Sequence, residues 1–169
     1  MSSFDTLFLD RDGVINVKLE GRYVEHISEF EFMPGAIDII SKFSSLFKRI
    51  LIVTNQQGIG KNIMSEVQLN ELHSFMKSEI EKSKGKIDKI YFCPHLASED
   101  CDCRKPKSGM IKQALDDYPI VINDSYLVGD SDSDIEAGIK EGLNVVKVDN
   151  EYTLAKWGEE LLSVINKYD

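Results

Sequence analysis

Short apolar runs alternate with longer amphipathic ones along the whole chain, which predicts an α/β architecture, a parallel sheet with helices on both faces. Two further observations point the same way. Ile50-Leu51-Ile52-Val53 is short, β-branched and continuously apolar, as a strand covered on both faces must be. The unusual residues also fall directly after predicted strands, where ligands gather in open parallel sheets: Asp10 after the first, Thr54 after the second, Cys93 after the third and Asp130 after the fourth.

In chain order, Thr6-Leu7-Phe8-Leu9 reads as a buried strand running into a charged loop. Behind the turn Pro34-Gly35, the residues Ile37, Ile40, Phe43 and Phe47 fall near helical spacing, which predicts a helix over Ala36–Phe47. Ile50–Val53 is the second strand. Ser65 and Gln68 form a capping box that opens a long polar-faced helix running to Lys84, before Gly85. Ile87–Phe92 is the third strand, Ser108–Asp117 a helix and Tyr126–Gly129 the fourth strand. Asp132–Glu141 is a helix closed by Gly142, with Ser131 or Asp132 as its cap. Val145–Val148 is the fifth strand, and a helix from about Thr153 to Lys167 follows it.

At 169 residues one domain, 1–169, is expected, and no repeat, linker or low-complexity stretch divides it. The net charge of -9 argues against nucleic acid or an anionic membrane as the main partner. A phosphate substrate stays possible, because local cations and a metal can invert the field inside one pocket. The start MSSFDTLFLD has no signal-peptide pattern and no apolar run approaches membrane length, so a cytoplasmic monomer is expected.

The first strand ends in Asp10-Arg11-Asp12-Gly13, which puts two carboxylates at one mouth. The fourth ends in Gly129-Asp130-Ser131-Asp132-Ser133-Asp134. Either string alone is usually a surface turn. Two acidic clusters at one sheet edge repel each other, and a divalent cation with oxygen ligands relieves that repulsion; magnesium suits carboxylates, phosphate and water. Thr54-Asn55-Gln56 offers a hydroxyl and two amides to phosphate oxygens, and Arg104-Lys105-Pro106-Lys107 is the densest positive charge in an acidic chain.

Four ordered motifs across nearly the whole chain resemble the haloacid dehalogenase-like (HAD) phosphatases: D-x-D-G at Asp10, Asp12 and Gly13, Thr54 after its apolar strand, Lys105, and G-D-x-x-x-D at Gly129, Asp130 and Asp134. The resemblance implies a Rossmann-like HAD domain and hydrolysis of a phosphate monoester. Asp10 would then be the nucleophile that becomes an aspartyl-phosphate, and Asp12 the acid for the leaving alcohol and the base for water. Thr54 and Lys105 would hold the phosphoryl oxygens. Asp10, Asp130 and the backbone carbonyl of Asp12 would bind Mg2+, with Asp134 in support. An Asp at position 12, rather than Thr or Ser, favours hydrolysis over transfer or dehalogenation. For its acid step Asp12 must be protonated, and neighbouring carboxylates are expected to raise its pKa.

All three cysteines fall within eleven residues with one of three histidines, and Cys93, His95, Cys101 and Cys103 give C-x-H-x5-C-x-C. An odd number of thiols so closely packed is a poor disulfide framework and a good tetrahedral zinc set. With all four positions filled by protein, the zinc of loop 93–103 would be structural, and would fix Arg104 and Lys105 over the phosphate pocket. Of the other histidines, His73 reads as a helix residue and His26 as a loop residue, either a minor candidate for substrate contact.

This zinc loop followed by C-R-K-P resembles one branch, the heptose 1,7-bisphosphate 7-phosphatases and the histidinol-phosphate phosphatases. Asp10–Val17, Tyr23-Val24, Phe30-Glu31-Phe32 and Thr54–Gly60 are similar to the heptose enzymes. The five-residue gap before Cys101 is similar to the histidinol enzymes. A bisphosphate would want distant cations, with Arg104, Lys18, Arg22 or Lys61 available; histidinol phosphate would want a carboxylate such as Glu20 or Glu25. Asn55, Arg104 and Ser131 are the expected substrate-binding residues. The gap from Gly13 to Pro34 is too short for a separate cap, so no large cap is expected. The heptose bisphosphate is the expected substrate and histidinol phosphate the alternative. A polynucleotide 3′-phosphatase lacks a basic groove here, and a non-catalytic zinc module would not be expected to keep the whole catalytic set.

Overall fold

The computed structural model describes residues 2–168 of the chain. Five strands, β1 (Phe4–Leu9), β2 (Phe47–Asn55), β3 (Lys89–Cys93), β4 (Tyr126–Gly129) and β5 (Asn144–Lys147), form one sheet. Their order is β3-β2-β1-β4-β5 and every neighbouring pair is parallel. Five α-helices accompany them: α1 (Ala36–Leu46), α2 (Glu66–Lys82), α3 (Gly109–Asp117), α4 (Asp132–Lys140) and α5 (Leu154–Asn166).

Successive strand side chains point to opposite faces, so each strand feeds two cores. Leu7, Leu9, Ile50, Ile52 and Val128 pack with Ile39, Phe43, Leu69, Met76 and Trp157 of α1, α2 and α5. Phe8, Leu51, Val53 and Leu127 pack with Met110, Ile111, Ala114 and Ala137 of α3 and α4. Covering both faces is why these strands read as apolar runs rather than alternations.

The expected elements are all present with shifted ends, and the boundary between α1 and β2 is redrawn. β2 runs on through Thr54 and Asn55 and β3 spans Lys89–Cys93, so Thr54 and Cys93 lie in the last residues of strands rather than after them. Phe47 opens β2 instead of closing α1, and no loop separates the two elements. Its backbone is extended, with φ -102° and ψ 139°. The helical spacing of Phe43 and Phe47 survives because the two rings still meet, 5.5 Å apart, around the turn. Ser65 caps α2 as read, its hydroxyl accepting from Gln68 N–H and its own N–H donating to Gln68 Oε1.

From β1 the chain moves out through β2 to β3, then returns to the other side of β1 for β4 and β5. That reversal opens a crevice at the carboxyl ends of β1 and β4. Pairing of Leu9 with Val128 puts Asp10 level with Gly129, one residue before Asp130, so both acids reach the same mouth. Between β1 and α1 the described residues form a 3-10 turn, Ile27–Glu29, and two isolated β-bridges, Asp12 with Asn16 and Asn16 with Phe32, too little structure for a cap domain. Among the described residues no helix is long and apolar enough to cross a membrane.

Candidate active site

A cavity of about 270 Å³ opens at this crevice, lined by Asp10, Asp12, Lys18, Arg22, Arg104, Lys105, Asp130 and Ser131 among others. Lys105 is its buried anchor. Its Nζ donates to Asp10 Oδ1 at 2.9 Å, to the Val53 carbonyl at 2.8 Å and to Asp134 Oδ1, so all three ammonium protons are taken. Burial alone would pull this ammonium's pKa down; Asp10 and Asp134 outweigh it and hold Lys105 above its usual value. Asn55 sets the lysine's backbone, its Nδ2 donating to the Lys105 carbonyl and its Oδ1 accepting from the Lys105 N–H. The amide expected to touch substrate is therefore occupied with positioning Lys105.

Asp10, Asp130 and Asp134 bring carboxylate oxygens within 4.8 Å of one another. Burial pushes the Asp10 carboxyl up to about 8 against the pull of Lys105, and the charges of Asp134 and Asp130 add to the rise. Asp130 is raised too, chiefly by burial. One lysine cannot neutralise three acids, so the donor set fits a hard divalent cation with oxygen ligands. Gly13 permits the close approach: φ is +85°, and a Cβ there would collide with the Asp130 carboxylate. Asp134 ties the group together: its Oδ1 accepts from Lys105 and its Oδ2 from the N–H groups of Asp130 and Ser131 and from the Ser131 hydroxyl. Ser131 is the N-cap of α4, whereas Asp132 points out to Lys147.

Asp12 corrects a sequence expectation. Burial would raise its pKa, but the Arg11 guanidinium and hydrogen bonds from Asn16, Arg11 and Gln56 outweigh burial and hold it below the usual carboxylate value. Arg11 Nη2 and Asn16 Nδ2 donate to Oδ1 at 2.8 and 3.0 Å, and Gln56 Nε2 donates to Oδ2 at 3.0 Å. No neighbouring carboxylate governs it. Thr54 is fully buried below the lining, with Oγ1 accepting from Gln56 Nε2 at 3.0 Å. His73 is not at the substrate cavity: it is buried against Arg11. His26 precedes the 3-10 turn and Lys61 lies over the Tyr23 ring, neither in the lining. Arg11 and Asn16 were not legible as site residues, because adjacency to Asp12 does not reveal which way their side chains turn.

The lining carries Lys18, Arg22 and Arg104 beyond Lys105, while Glu20 and Glu25 stay outside it. Arg104 has a buried Nη1 with no hydrogen-bond partner among the described residues.

Beside the cavity, ligand atoms of Cys93, His95, Cys101 and Cys103 also converge within 4.8 Å. His95 Nδ1 is 3.4 Å from Cys93 Sγ and 3.1 Å from Cys103 Sγ. Burial, with the neighbouring sulfurs, pushes the Cys103 thiol up, so three thiolates cannot coexist here without a soft cation. The chemistry of the set fits zinc. The loop is tied to the turn after β2: Gln56 N–H donates to the Cys93 carbonyl at 2.8 Å, and Gly60 N–H to the Pro94 carbonyl at 3.0 Å.

Comparison with known proteins agrees with this geometry. The HAD-hydrolase-like family profile matches residues 102–164. The chain is 41% identical over 145 residues to the D-glycero-α-D-manno-heptose-1,7-bisphosphate 7-phosphatase of Campylobacter jejuni, covering 86% of this chain and 82% of that protein. It is 39% identical over 148 residues to the β-anomer enzyme of Haemophilus influenzae, covering 83% and 79%. The crystal structure of a D,D-heptose 1,7-bisphosphate phosphatase from Bordetella bronchiseptica (B. bronchiseptica), complexed with magnesium and phosphate, superposes with a TM-score of 0.87 at 28% identity, over 95% of this chain and 99% of that one. The fold, the acid cluster and these relatives together establish that the chain belongs to the HAD-like phosphatases, in the family of the D-glycero-D-manno-heptose-1,7-bisphosphate 7-phosphatases.

Proposed function

We propose that this protein removes the 7-phosphate of a D-glycero-D-manno-heptose 1,7-bisphosphate, with Asp10 as nucleophile. The observation that carries the substrate is the lining: Lys18, Arg22 and Arg104 offer charge for a second phosphate, and no glutamate of the Val17–Glu29 loop lines the cavity to receive an ammonium or imidazolium. The relatives named for this substrate support the reading.

Asp10 attacks phosphorus as the sugar oxygen leaves, dividing one hard displacement into two easier ones through an aspartyl-phosphate. Lys105 and Thr54 would hold the phosphoryl oxygens, Lys105 by turning one of the protons it now shares with Asp10 and Asp134 toward phosphate, and Thr54 by offering its hydroxyl proton from beneath the lining. Asp12 rests as a carboxylate, ready to act as base on water in the second step. For the first step it takes a proton when the phosphate's charge enters beside it and lifts its pKa, and it passes that proton to the leaving alcohol. Asp10, Asp130 and the Asp12 backbone carbonyl would hold Mg2+, with Asp134 beside them. When bound, the ion neutralises charge on the phosphoryl oxygens. Cys93, His95, Cys101 and Cys103 would hold a structural Zn2+ in loop 93–103 of the single domain 1–169. Arg104, with a buried Nη1 that has no partner among the described residues, and Ser131, once its hydroxyl turns from Asp134, would touch substrate, and Asn55 would act through Lys105. We read the protein as a cytoplasmic monomer; cysteines kept as metal ligands rather than joined in disulfides suit a reducing compartment.

The test is phosphate release with Mg2+ from heptose 1,7-bisphosphate and from histidinol phosphate side by side, with Asp10→Asn as control. Preference for the heptose, abolished in the control, is expected. Preference for histidinol phosphate would keep the chemistry and overturn the substrate.

A further inference from the structure

Arg11 stands between the two aspartates of the first motif, yet its side chain turns inward and is 1% exposed. It lies over the Phe30 ring, 5.9 Å from the centroid. Its Nη2 donates to Asp12 Oδ1 at 2.8 Å, and its Nη1 lies 3.1 Å from His73 Nε2. A guanidinium has donors only, so His73 must be the acceptor. That fixes the ring as neutral, bare at Nε2 and protonated at Nδ1. Burial, and the charge of Arg11, agree with this by lowering the His73 pKa to about 3.

The arrangement holds Arg11 at few points. Its Nε has no partner among the described residues, so the guanidinium is oriented through its two terminal nitrogens. One of those serves Asp12; the other is fixed by His73. His73 in turn sits on α2, which Leu69, Leu72, Met76 and Ile80 anchor in the core. Arg11 and Asn16 both occupy Asp12 Oδ1, whereas Oδ2 receives only Gln56, leaving Oδ2 a lone pair for the proton in transit.

We propose that His73 is a positioning residue for Asp12: by accepting from Arg11 Nη1 it sets the guanidinium plane, and through Nη2 the direction in which the Asp12 carboxylate faces the leaving oxygen. This rests on the reading of Asp12 as the proton donor. His73 is not among the residues that line the active-site cavity, and it lines a separate surface pocket with Asn70, Ser74 and Lys77.

The alternative is a buried polar pair that only holds α2 against the first loop, and leaving-group dependence separates the two. A sugar alkoxide needs a proton to depart, whereas p-nitrophenolate does not. The experiment measures kcat/KM, which reports steps through the first irreversible one, for heptose 1,7-bisphosphate and for p-nitrophenyl phosphate in the parent, His73→Leu, His73→Gln and Asp12→Asn. The ratio of the two substrates cancels any loss of folded protein.

General acid catalysis contributes about 10²–10⁴ in rate. His73→Leu is therefore expected to lower the sugar-phosphate value about tenfold more than the aryl value. His73→Gln, whose amide oxygen can accept from Arg11, is expected to restore the ratio to within about threefold of the parent. Equal loss on both substrates in His73→Leu, or no rescue by His73→Gln, while Asp12→Asn does shift the ratio, would overturn the positioning role. An unshifted ratio in Asp12→Asn would overturn the proton-donor reading itself, and the proposal with it.

Discussion

The Lys105 ammonium illustrates how one residue ties stability to chemistry. Its three protons bind Asp10, Asp134 and the Val53 carbonyl, with the lysine almost wholly buried. Removing one partner of a buried ion pair strands the other's charge, which typically costs about 3–5 kcal/mol. Lys105→Met keeps most of the side-chain volume and removes the charge, so a loss of this size is expected in urea denaturation without Mg2+, with turnover abolished. Added Mg2+ should restore part of the stability, by supplying charge to the same acids, but no activity. A variant as stable as the parent would show that the acids had simply taken up protons. Asp10 and Asp12 were legible in the sequence because they follow the end of β1 directly, and Lys105, well past the end of β3, because it sits in the densest positive charge of an acidic chain and in a matching motif. Asn55 was legible as a site residue but not in its role, since its partner lies 50 positions along the chain.

At the scale of elements, the strands were legible because both faces are covered, and the end of α1 was not, because aromatic packing carried the helical spacing one residue past the helix. The loop from Cys93 to Cys103 was readable as a metal framework from residue type alone, but its attachments were not. Gln57 joins it to the substrate side: its Oε1 accepts from Ala97 N–H at 3.0 Å, and its Nε2 donates to the Tyr23 hydroxyl at 3.1 Å. Chain continuity from Cys103 reaches Lys105 two residues later. Folding of this loop therefore bears on both the buried lysine and the loop over the cavity. Cys101→Ser is expected to lose zinc and turnover together while the sheet survives. Metal analysis, phosphate release and far-ultraviolet circular dichroism would check it. Full turnover in a zinc-free variant would rule out the coupling.

For the molecule as a whole, the buried groups of the site set how stability follows pH. Two of them oppose each other. His73 has its pKa lowered from 6.5 to about 3, by burial and then Arg11. The folded state thus binds fewer protons, and the contribution is complete above pH 6.5 and lost as pH falls toward 3. Asp10 has its pKa raised from 3.8 to about 8, chiefly by burial. Here the folded state binds more protons, and the contribution is complete below pH 3.8 and lost as pH rises through 8. Above pH 6.5 only the Asp10 loss remains, of order 2 kcal/mol by pH 8 at about 1.4 kcal/mol for each pH unit. Protein loaded with zinc but free of magnesium should therefore melt several degrees lower at pH 8 than at pH 6.5, given roughly 2–4 °C for each kcal/mol at this size. On the proposed reading magnesium would bind the ionised form of Asp10 and compete with that proton, so its stabilisation should grow with pH across the same interval. Thermal melts at both pH values, with and without Mg2+, check both signs. If Mg2+ raised the melting temperature equally at pH 6.5 and pH 8, Asp10 would already be ionised at the lower pH, and the nucleophile would not depend on the metal for its charge.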